Sequence, residues 1–578
     1  MTGLNKILHV DLTEKKFEVE ETDLFDRYLG GEGVAIRLLS RELPRGEDPF
    51  SPESPVIFTV GPLTGVFPCC TKTVCMFKSP LTGDLGESHA GGRFGTALKL
   101  AGYEALIVKG VSERPVYIEV SREGVKFKDA TPLAGLSPRR VEELLRREGN
   151  GLQSILSIGP AGENFVYFAN AFVDRYHHFG RLGLGAVLGS KNLKAIVIYG
   201  CGSVKIENLD EYRRVYEEVY KEVTKTGKMK KYHDLGTPAN VLSLNNLGAL
   251  PTRNFSLGRF DKAEGISGEE IAERLLVRKV SCPGCPIGCV HVALLKEWFA
   301  PEHEVAPLDV PYSYEPVFAL GSNLCVGEAE GVLRLILECE ELGIDAMTAG
   351  VLLSWVTEAY EKGVITEEQV LVKPRWGDVN AYLEILRNVV KRPNDFYMTL
   401  STGVERVAEV YGGREYALTV NNVGYAGYLT GYMSLVGQAV GARHSHLSNA
   451  GYSLDQKALK TPMEEGEMVK KLFDEEAWRC AFSSLVACLF ARGVYTPKLA
   501  SKCLLSLGIE KSPDELVKLG LETMAEKYRF KFREGFDFNK VTLPKRFFEA
   551  ETPHGRLREE KARKMIDMYA SMVKRLLG

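Results

Sequence analysis

Three cysteines packed into SCPGCPIGCVH, Cys282, Cys285 and Cys289, constrain this chain more tightly than any other feature. The Pro and Gly residues of this C-x-x-C-x-x-x-C run bend the backbone so that several thiolates can converge on one ion or cluster. A closed site needs a fourth ligand. His291 would complete a structural zinc site, whereas a distant cysteine such as Cys488 in SLVACLF would complete an iron–sulfur cube and pin two remote segments together. Twelve cysteines scattered irregularly over 578 residues fit reduced thiols around a metal site, not a secreted disulfide framework, and leave Cys69 and Cys70 as buried, inert thiols.

Composition narrows the rest. With 45% hydrophobic and 26% charged residues, the chain can bury large cores in several domains. A formal charge of -3 gives no electrostatic case for nucleic acid. The N-terminus MTGLNKILHVDLTEKK meets charge before a signal-peptide core could form, and there is no run of about 18 apolar residues to span a bilayer, so a cytoplasmic location is expected. Glutamine occurs only at positions 153, 369, 438 and 456 amid plentiful Glu, Lys and Arg, which leans toward a thermophile.

The texture changes once, near residue 205. Before it come short β-rich segments such as KILHVDL, KKFEVEE, VIFTVG, ALIVKG, VYIEV and LKAIVIYG, separated by Gly, Pro and Asp turns. After it come helical periods such as LDEYRRVYEEVYKEV, EAEGVLRLILECEELG, AGVLLSWVTEAYEKG and the closing EKARKMIDMYASMVKRLLG. The expected fold is α+β: a β-rich domain over residues 1–204, then two mainly helical domains over 205–412 and 413–578, with a break near the Gly-rich YGGREYA.

The glycine-rich loops do not form a nicotinamide site. Gly31-Glu32-Gly33 lacks the third glycine of the dinucleotide fingerprint, and GRLGLGAVLGSKNLKAI follows His177-His178-Phe179 instead of a clear strand. In KSPLTGDLGESHAGGRFG, Gly91 and Gly92 would let backbone amides approach an anion while Lys78 and Arg93 supply positive charge. A tight sheet connection with solvated charges explains the same residues.

KSPLTG, AGGRFG and LKLAGYEALIVKG, GRLGLGAVLGSKNLKAI, the cysteine loop, Tyr314-Glu315, GIDAMTAG and the late cysteine occur in one order over nearly the whole chain. That order resembles the tungsten-containing aldehyde:ferredoxin oxidoreductases. The resemblance implies a tungsten ion held by two pterin dithiolenes, one [4Fe–4S] cluster beside it, both at the domain interface, and a magnesium ion bridging the pterin phosphates through backbone carbonyls.

Residue by residue, the resemblance implies Cys282, Cys285, Cys289 and Cys488 as cluster ligands. Cys480, in the helix-like AWRCAF, competes for the fourth place but lacks the motif position and the following Leu489-Phe490. The family's Asp-x-x-Gly-Leu-Cys motif falls on Ser483 to Cys488, including Ala487, so its aspartate and glycine are replaced by Ser483 and Val486. The companion Asp-x-x-Gly-Leu-Asp motif falls on Glu340 to Asp345, with Ile344 as its apolar member. Lys72, His89, Gly91, Arg181 and Leu182 match positions around the first pterin and the phosphates, Lys72 standing for an arginine and His89 for an asparagine. Near tungsten stand Glu315, whose pKa an apolar pocket would raise, Tyr312 or Tyr314 to position the substrate oxygen, and His446 or His444 beside Arg443.

The segment NNVGYAGYLTGYMSLVGQ lacks the family's Pro-Arg step, and its Tyr425, Tyr428 and Tyr432 read either as pocket lining or as a packing stripe. These departures resemble a divergent subgroup near broad-specificity tungsten oxidoreductases and the tungsten subunit of aromatic-thioester reductases. The expected activity is aldehyde oxidation to the carboxylic acid, with electrons passed to ferredoxin or a polyferredoxin-like iron–sulfur subunit in a homo- or hetero-oligomer. An aryl-CoA dearomatising reductase, a molybdenum enzyme and a non-catalytic iron–sulfur electron carrier are the alternatives.

Overall fold

The computed structural model describes residues 5–146, 151–300 and 304–578. An N-terminal mixed β-sheet domain is followed by helical domains, giving an α+β protein. The first sheet contains β1 (Lys6–Asp11), β2 (Lys16–Glu21), β3 (Val56–Thr59), β4 (Thr73–Lys78), β5 (Leu85–Ala90) and β6 (Ala105–Lys109), ordered β2-β1-β6-β3-β4-β5. Only β1 and β6 run parallel in it. The second contains β7 (Val116–Ser121), β8 (Gly124–Asp129), β9 (Leu152–Ile158), β10 (Ala171–Val173), β11 (His177–Phe179) and β12 (Leu193–Gly200), ordered β11-β10-β9-β12-β7-β8. One core runs from these sheets into the helices, joining Phe58, Leu106 and Ile196 to Phe318, Trp355 and Tyr382.

The β-branched runs formed strands where alternation or buried apolar runs predict them, but β4 and β5 gave no such signal. β5 reads LGESHA, and its Glu87 is buried and its His89 half-buried. They are tolerable because Lys527, on the helix Pro513–Arg533, lies 2.6 Å from Glu87 and 3.0 Å from Glu32. A buried carboxylate is stable only with such a partner. Glu32 is pushed up to about 7 by burial and by the neighbouring Glu87 charge, whereas Lys527, Arg443 and His89 overcome the burial of Glu87 and keep it well below the usual carboxylate range.

The helical part contains a sheet that the helical periods do not announce. Strands β13 (Leu276–Val280), β14 (Val290–Ala300) and β15 (Glu304–Tyr312) form an antiparallel meander. The cysteine loop joins β13 to β14, and β15 leads into the helix Tyr314–Leu320. Because His291 pairs with Tyr312 at the end of the β14–β15 ladder, the chain enters β14 from the cysteines beside the point where it leaves β15 for Glu315. The meander thus places two sequence motifs at one end of a rigid sheet.

Docking between the two parts uses close backbone approach. Gly31, at φ +42°, packs so tightly that a Cβ there would lie 2.0 Å from the Ser483 carbonyl oxygen. Gly343, at φ +79°, ends the helix Ala329–Leu342 against the Gly159 backbone. Its neighbour Asp345 then caps the helix Ala346–Glu361 by accepting from the Met347 amide at 3.0 Å. Among the described residues no helix is long and apolar enough to cross a membrane.

Candidate active site

A cavity of about 470 Å³ opens between the N-terminal sheets and the helical part. Its wall includes Cys282, Cys285, Cys289 and Cys488 as well as Glu315 and His446.

At the cysteine end the main chain does most of the holding. The Cys488 amide donates to the Cys69 carbonyl at 2.8 Å and the Lys72 amide to the Val486 carbonyl at 3.2 Å, which ties residues 69–72 to residues 486–488. The Gly92 amide donates to Cys282 Sγ at 3.3 Å, and His177 Nε2 lies 3.3 Å from the same sulfur. A Cβ on Gly91 would sit 2.7 Å from the His177 ring and 2.9 Å from Cys282 Sγ, so only glycine fits. Burial pushes the Cys282 thiol up, but the hydrogen bond and charge of His177, the charge of Lys72 and the Gly92 amide bring it down to about 6. Burial pulls Lys72 down, and the charges of Cys488, Cys282 and Cys289 outweigh it and raise the ammonium above its ordinary value. A cation among thiols suits a thiolate-ligated cluster.

The rival fourth ligands have other partners. Cys480 lies on the helix Glu465–Ser484 with its sulfur 4.0 Å from Lys527 Nζ, and it borders a separate small cavity with Glu32 and Ser483. His291 Nε2 lies 3.1 Å from the His233 carbonyl oxygen.

At the other end, Glu315 begins the helix Tyr314–Leu320, and its Oε1 lies 3.1 Å from His446 Nε2. Its Oε2 accepts from the Gly427 amide at 3.3 Å. The expected rise in the Glu315 pKa is reversed. Burial does push it up, but the nearby His446 charge, the Gly427 amide and the Tyr428 hydroxyl hold it below the ordinary carboxylate value. His446 keeps a buried Nδ1 without a hydrogen-bond partner.

His444 and His446 are separated by their surroundings. Both line the cavity, but His444 Nε2 lies 2.6 Å from Asp84 and 2.8 Å from Lys531, while its Nδ1 lies 3.3 Å from the Asn421 amide. Both of its ring nitrogens are therefore spent. The two tyrosines separate similarly. Tyr314 donates its hydroxyl to the Gly427 carbonyl, whereas the Tyr312 hydroxyl is buried, lines the cavity and has no hydrogen-bond partner.

The remaining sequence candidates divide. Lys72, His89, Gly91, Arg181, Leu182, Glu340, Ile344, Asp345, Arg443 and Leu489 line the cavity. Arg181 binds Asp345 at 3.1 Å and the Gly424 carbonyl at 2.6 Å, which leaves its buried Nη1 unpartnered. Arg443 Nε, also buried, faces Glu87 Oε1 at 3.5 Å. The Leu182 carbonyl already accepts from Ser79 at 2.7 Å, and Glu340 pairs with His178 at 2.9 Å.

Lys78 and Arg93 are not brought to the cavity wall as the anion-site reading requires. Lys78 is buried against Glu534 at 2.7 Å, and Arg93 faces Asp174 at 3.5 Å. Gly92 serves the Cys282 sulfur, Ser483 borders the small cavity, and Ala487 packs into a satellite core with Phe67 and Leu485. Of the three tyrosines before the histidines only Tyr428 lines the cavity. Tyr425 donates to Ser434 at 3.0 Å, and the Tyr432 hydroxyl accepts from the Arg558 amide at 2.7 Å.

Sequence reasoning missed Cys69, His177 and Asn170. Cys69 Sγ lies 3.6 Å from Cys285 Sγ, so it is not a remote thiol. Asn170 donates to the Ile344 carbonyl at 3.1 Å and leaves its buried Oδ1 unpartnered at the cavity. Their positions depend on contacts with distant segments, such as the Cys488 amide on Cys69 and the Ile344 carbonyl on Asn170, and no spacing in the chain carries that signal.

Comparison with known proteins finds relatives over nearly the whole chain. Residues 7–200 match the family described as aldehyde ferredoxin oxidoreductase, N-terminal domain, and residues 214–573 match its domains 2 and 3. A tungsten-containing aldehyde ferredoxin oxidoreductase of Pyrococcus furiosus is 34% identical, the match covering 95% of this chain and 92% of that protein. The WOR-like subunit of an aliphatic sulfonate oxidoreductase from the same organism is 31% identical over 67% of this chain and 64% of its own length. Among solved structures, the active site complex BamBC of benzoyl coenzyme A reductase with 1,5-dienoyl-CoA matches with a TM-score of 0.84 at 20% identity, covering 99% of this chain and 94% of that one.

Proposed function

Because this chain belongs to the aldehyde ferredoxin oxidoreductase family, we propose that its cavity holds a tungsten bis-pterin and one [4Fe–4S] cluster and oxidises an aldehyde to the carboxylic acid. The observation that carries this reading is the Glu315–His446 pair, 3.1 Å apart, on the wall of the cavity that also receives four cysteines.

The residues fit the cofactors. Cys282, Cys285, Cys289 and Cys488 give a thiolate set of the number a cubane needs. Arg181 Nη1 and Asn170 Oδ1 are buried polar atoms without hydrogen bonds, and such atoms call for a polar ligand. The Arg181 guanidinium suits a pterin phosphate, and the amide oxygen suits a pterin N–H. A magnesium ion accompanying the phosphates would need only oxygen ligands such as backbone carbonyls. When bound, these groups supply two-electron oxidation at the metal and an outlet to ferredoxin or an iron–sulfur partner subunit.

The chain's own residues handle water and protons. The net reaction joins aldehyde and water to give acid, two electrons and two protons. Glu315, kept ionised by its neighbours, accepts a proton from water or the aldehyde hydrate. His446 stabilises the developing oxyanion and passes protons through Nδ1. The free Tyr312 hydroxyl donates to the substrate oxygen, while Tyr428 holds the Glu315 carboxylate in place.

A second reading, reduction of an aryl-CoA thioester, draws support from the aromatic wall. Tyr428 stacks on Tyr452 with ring centres 4.0 Å apart, and Tyr232 stacks on Phe490 at 4.2 Å. Metal and pterin analysis of anaerobically purified protein, followed by an aldehyde panel with a viologen acceptor, tests both. Tungsten, pterin and aldehyde-dependent dye reduction are expected; tungsten with no aldehyde activity would sink the oxidase reading and favour the thioester one.

A further inference from the structure

Cys69 belongs to the cysteine end of the cavity in a way its position in the chain conceals. It is fully buried in the satellite core that includes Phe67, Ile287 and Leu485 and that packs against Cys285, Cys289 and Cys488. Its carbonyl accepts from the Cys488 amide at 2.8 Å, and its sulfur lies 3.6 Å from Cys285 Sγ, within S–H···S hydrogen-bond range. Its φ of +63° lies in the left-handed region, where glycine would be unstrained and a side chain is not. A turn needing only to reach Cys488 would do better with glycine. The strained cysteine is explained if the thiol itself is used.

We propose that Cys69 is a positioning residue for the iron–sulfur site: its thiol donates an S–H···S hydrogen bond to the Cys285 thiolate and raises the reduction potential of the cluster. The inference rests on the cluster reading above. Reduction adds negative charge that spreads onto the ligand sulfurs, so a fixed donor on one of them stabilises the reduced state more than the oxidised state. Burial of the Cys69 side chain strengthens the effect because solvent does not reach the donor. The Cys282 sulfur is served differently, by the Gly92 amide and His177. Cys69 keeps its proton throughout and exchanges no electrons.

The test uses the anaerobically purified full chain with Cys69→Gly and Cys69→Ser, by iron analysis and EPR-monitored redox titration. Glycine suits the left-handed backbone, so that variant folds while losing the donor; serine restores a donor through its hydroxyl. The expected result is wild-type iron content in both, a cluster midpoint shifted to more negative potential in Cys69→Gly, and an intermediate value in Cys69→Ser. An unchanged midpoint in Cys69→Gly overturns the proposal, as does loss of iron in that variant, which would make Cys69 a ligand. Wild-type protein without iron would instead remove the cluster reading itself, before any substitution is compared.

Discussion

The two ends of the cavity are built by different means. At the cysteine end, backbone groups fix the geometry: the Cys488 amide on the Cys69 carbonyl, the Gly92 amide on Cys282 Sγ, and glycines that admit no Cβ. At the other end the geometry rests on side chains, with Glu315 held between His446, the Gly427 amide and Tyr428. Main-chain support is rigid and insensitive to pH, which suits four cysteines in the proposed role of holding one cluster. Side-chain support can gain and lose protons, which suits acid–base work.

Removing a proposed ligand should break the cysteine end outright. Cys488→Ala is expected to abolish the cluster signal and iron content while Cys480→Ala retains both; the reverse pattern in EPR and iron analysis would exchange their roles. At the other end, Glu315→Gln and His446→Ala should each lower kcat by about 10²–10⁴-fold without loss of iron, as expected for removal of a positioned proton-transfer group. His444→Gln should instead cost thermal stability, because Asp84 and Lys531 lose a buried partner; a larger fall in kcat than in Tm would return His444 to the chemistry.

Smaller effects sharpen the contrast. Gly91→Ala forces a methyl against His177 and Cys282 and should destabilise the protein by about 1–3 kcal/mol, the usual range for overpacking, read by chemical denaturation. The pH profile should show least of all. Glu315 has a folded pKa below its ordinary 4.5, so the stability it contributes is present above that value and is lost only as pH falls through the lower folded pKa. Kcat between about pH 5 and 9 should therefore carry no Glu315 inflection; an inflection that disappears in Glu315→Gln would mean burial prevails over its partners.

Much of the fold was legible where one segment carries its own signal. LKAIVIYG is the strand Leu193–Gly200, and EAEGVLRLILECEELG contains the helix Ala329–Leu342 with Gly343 at its end. Strand β5 was not legible, because Glu87 and His89 look like surface residues until Lys527 arrives from the far end of the chain. The β13–β15 meander was obscured by its helical neighbours, and the exposure of its first strand left no clear apolar alternation. At the site, cysteine spacing pointed to a cluster, whereas the choice between His444 and His446 turned on partners such as Asp84 and Lys531 that no local pattern predicts.

The sequence alone determined the elements with local causes: the cysteine loop through its spacing and turn residues, the β-rich first part and helical remainder through their periodicity, and the family through the order of its motifs. Tertiary structure decided what depends on contacts between distant segments. It placed Cys69 beside Cys285, paired Glu315 with His446, spent His444 on Asp84 and Lys531, and took Lys78 and Arg93 away to Glu534 and Asp174. A side chain's chemistry is set by the charges, donors and burial around it, and in this fold those come from residues hundreds of positions away, as with Lys78 and Glu534, 456 apart in the chain.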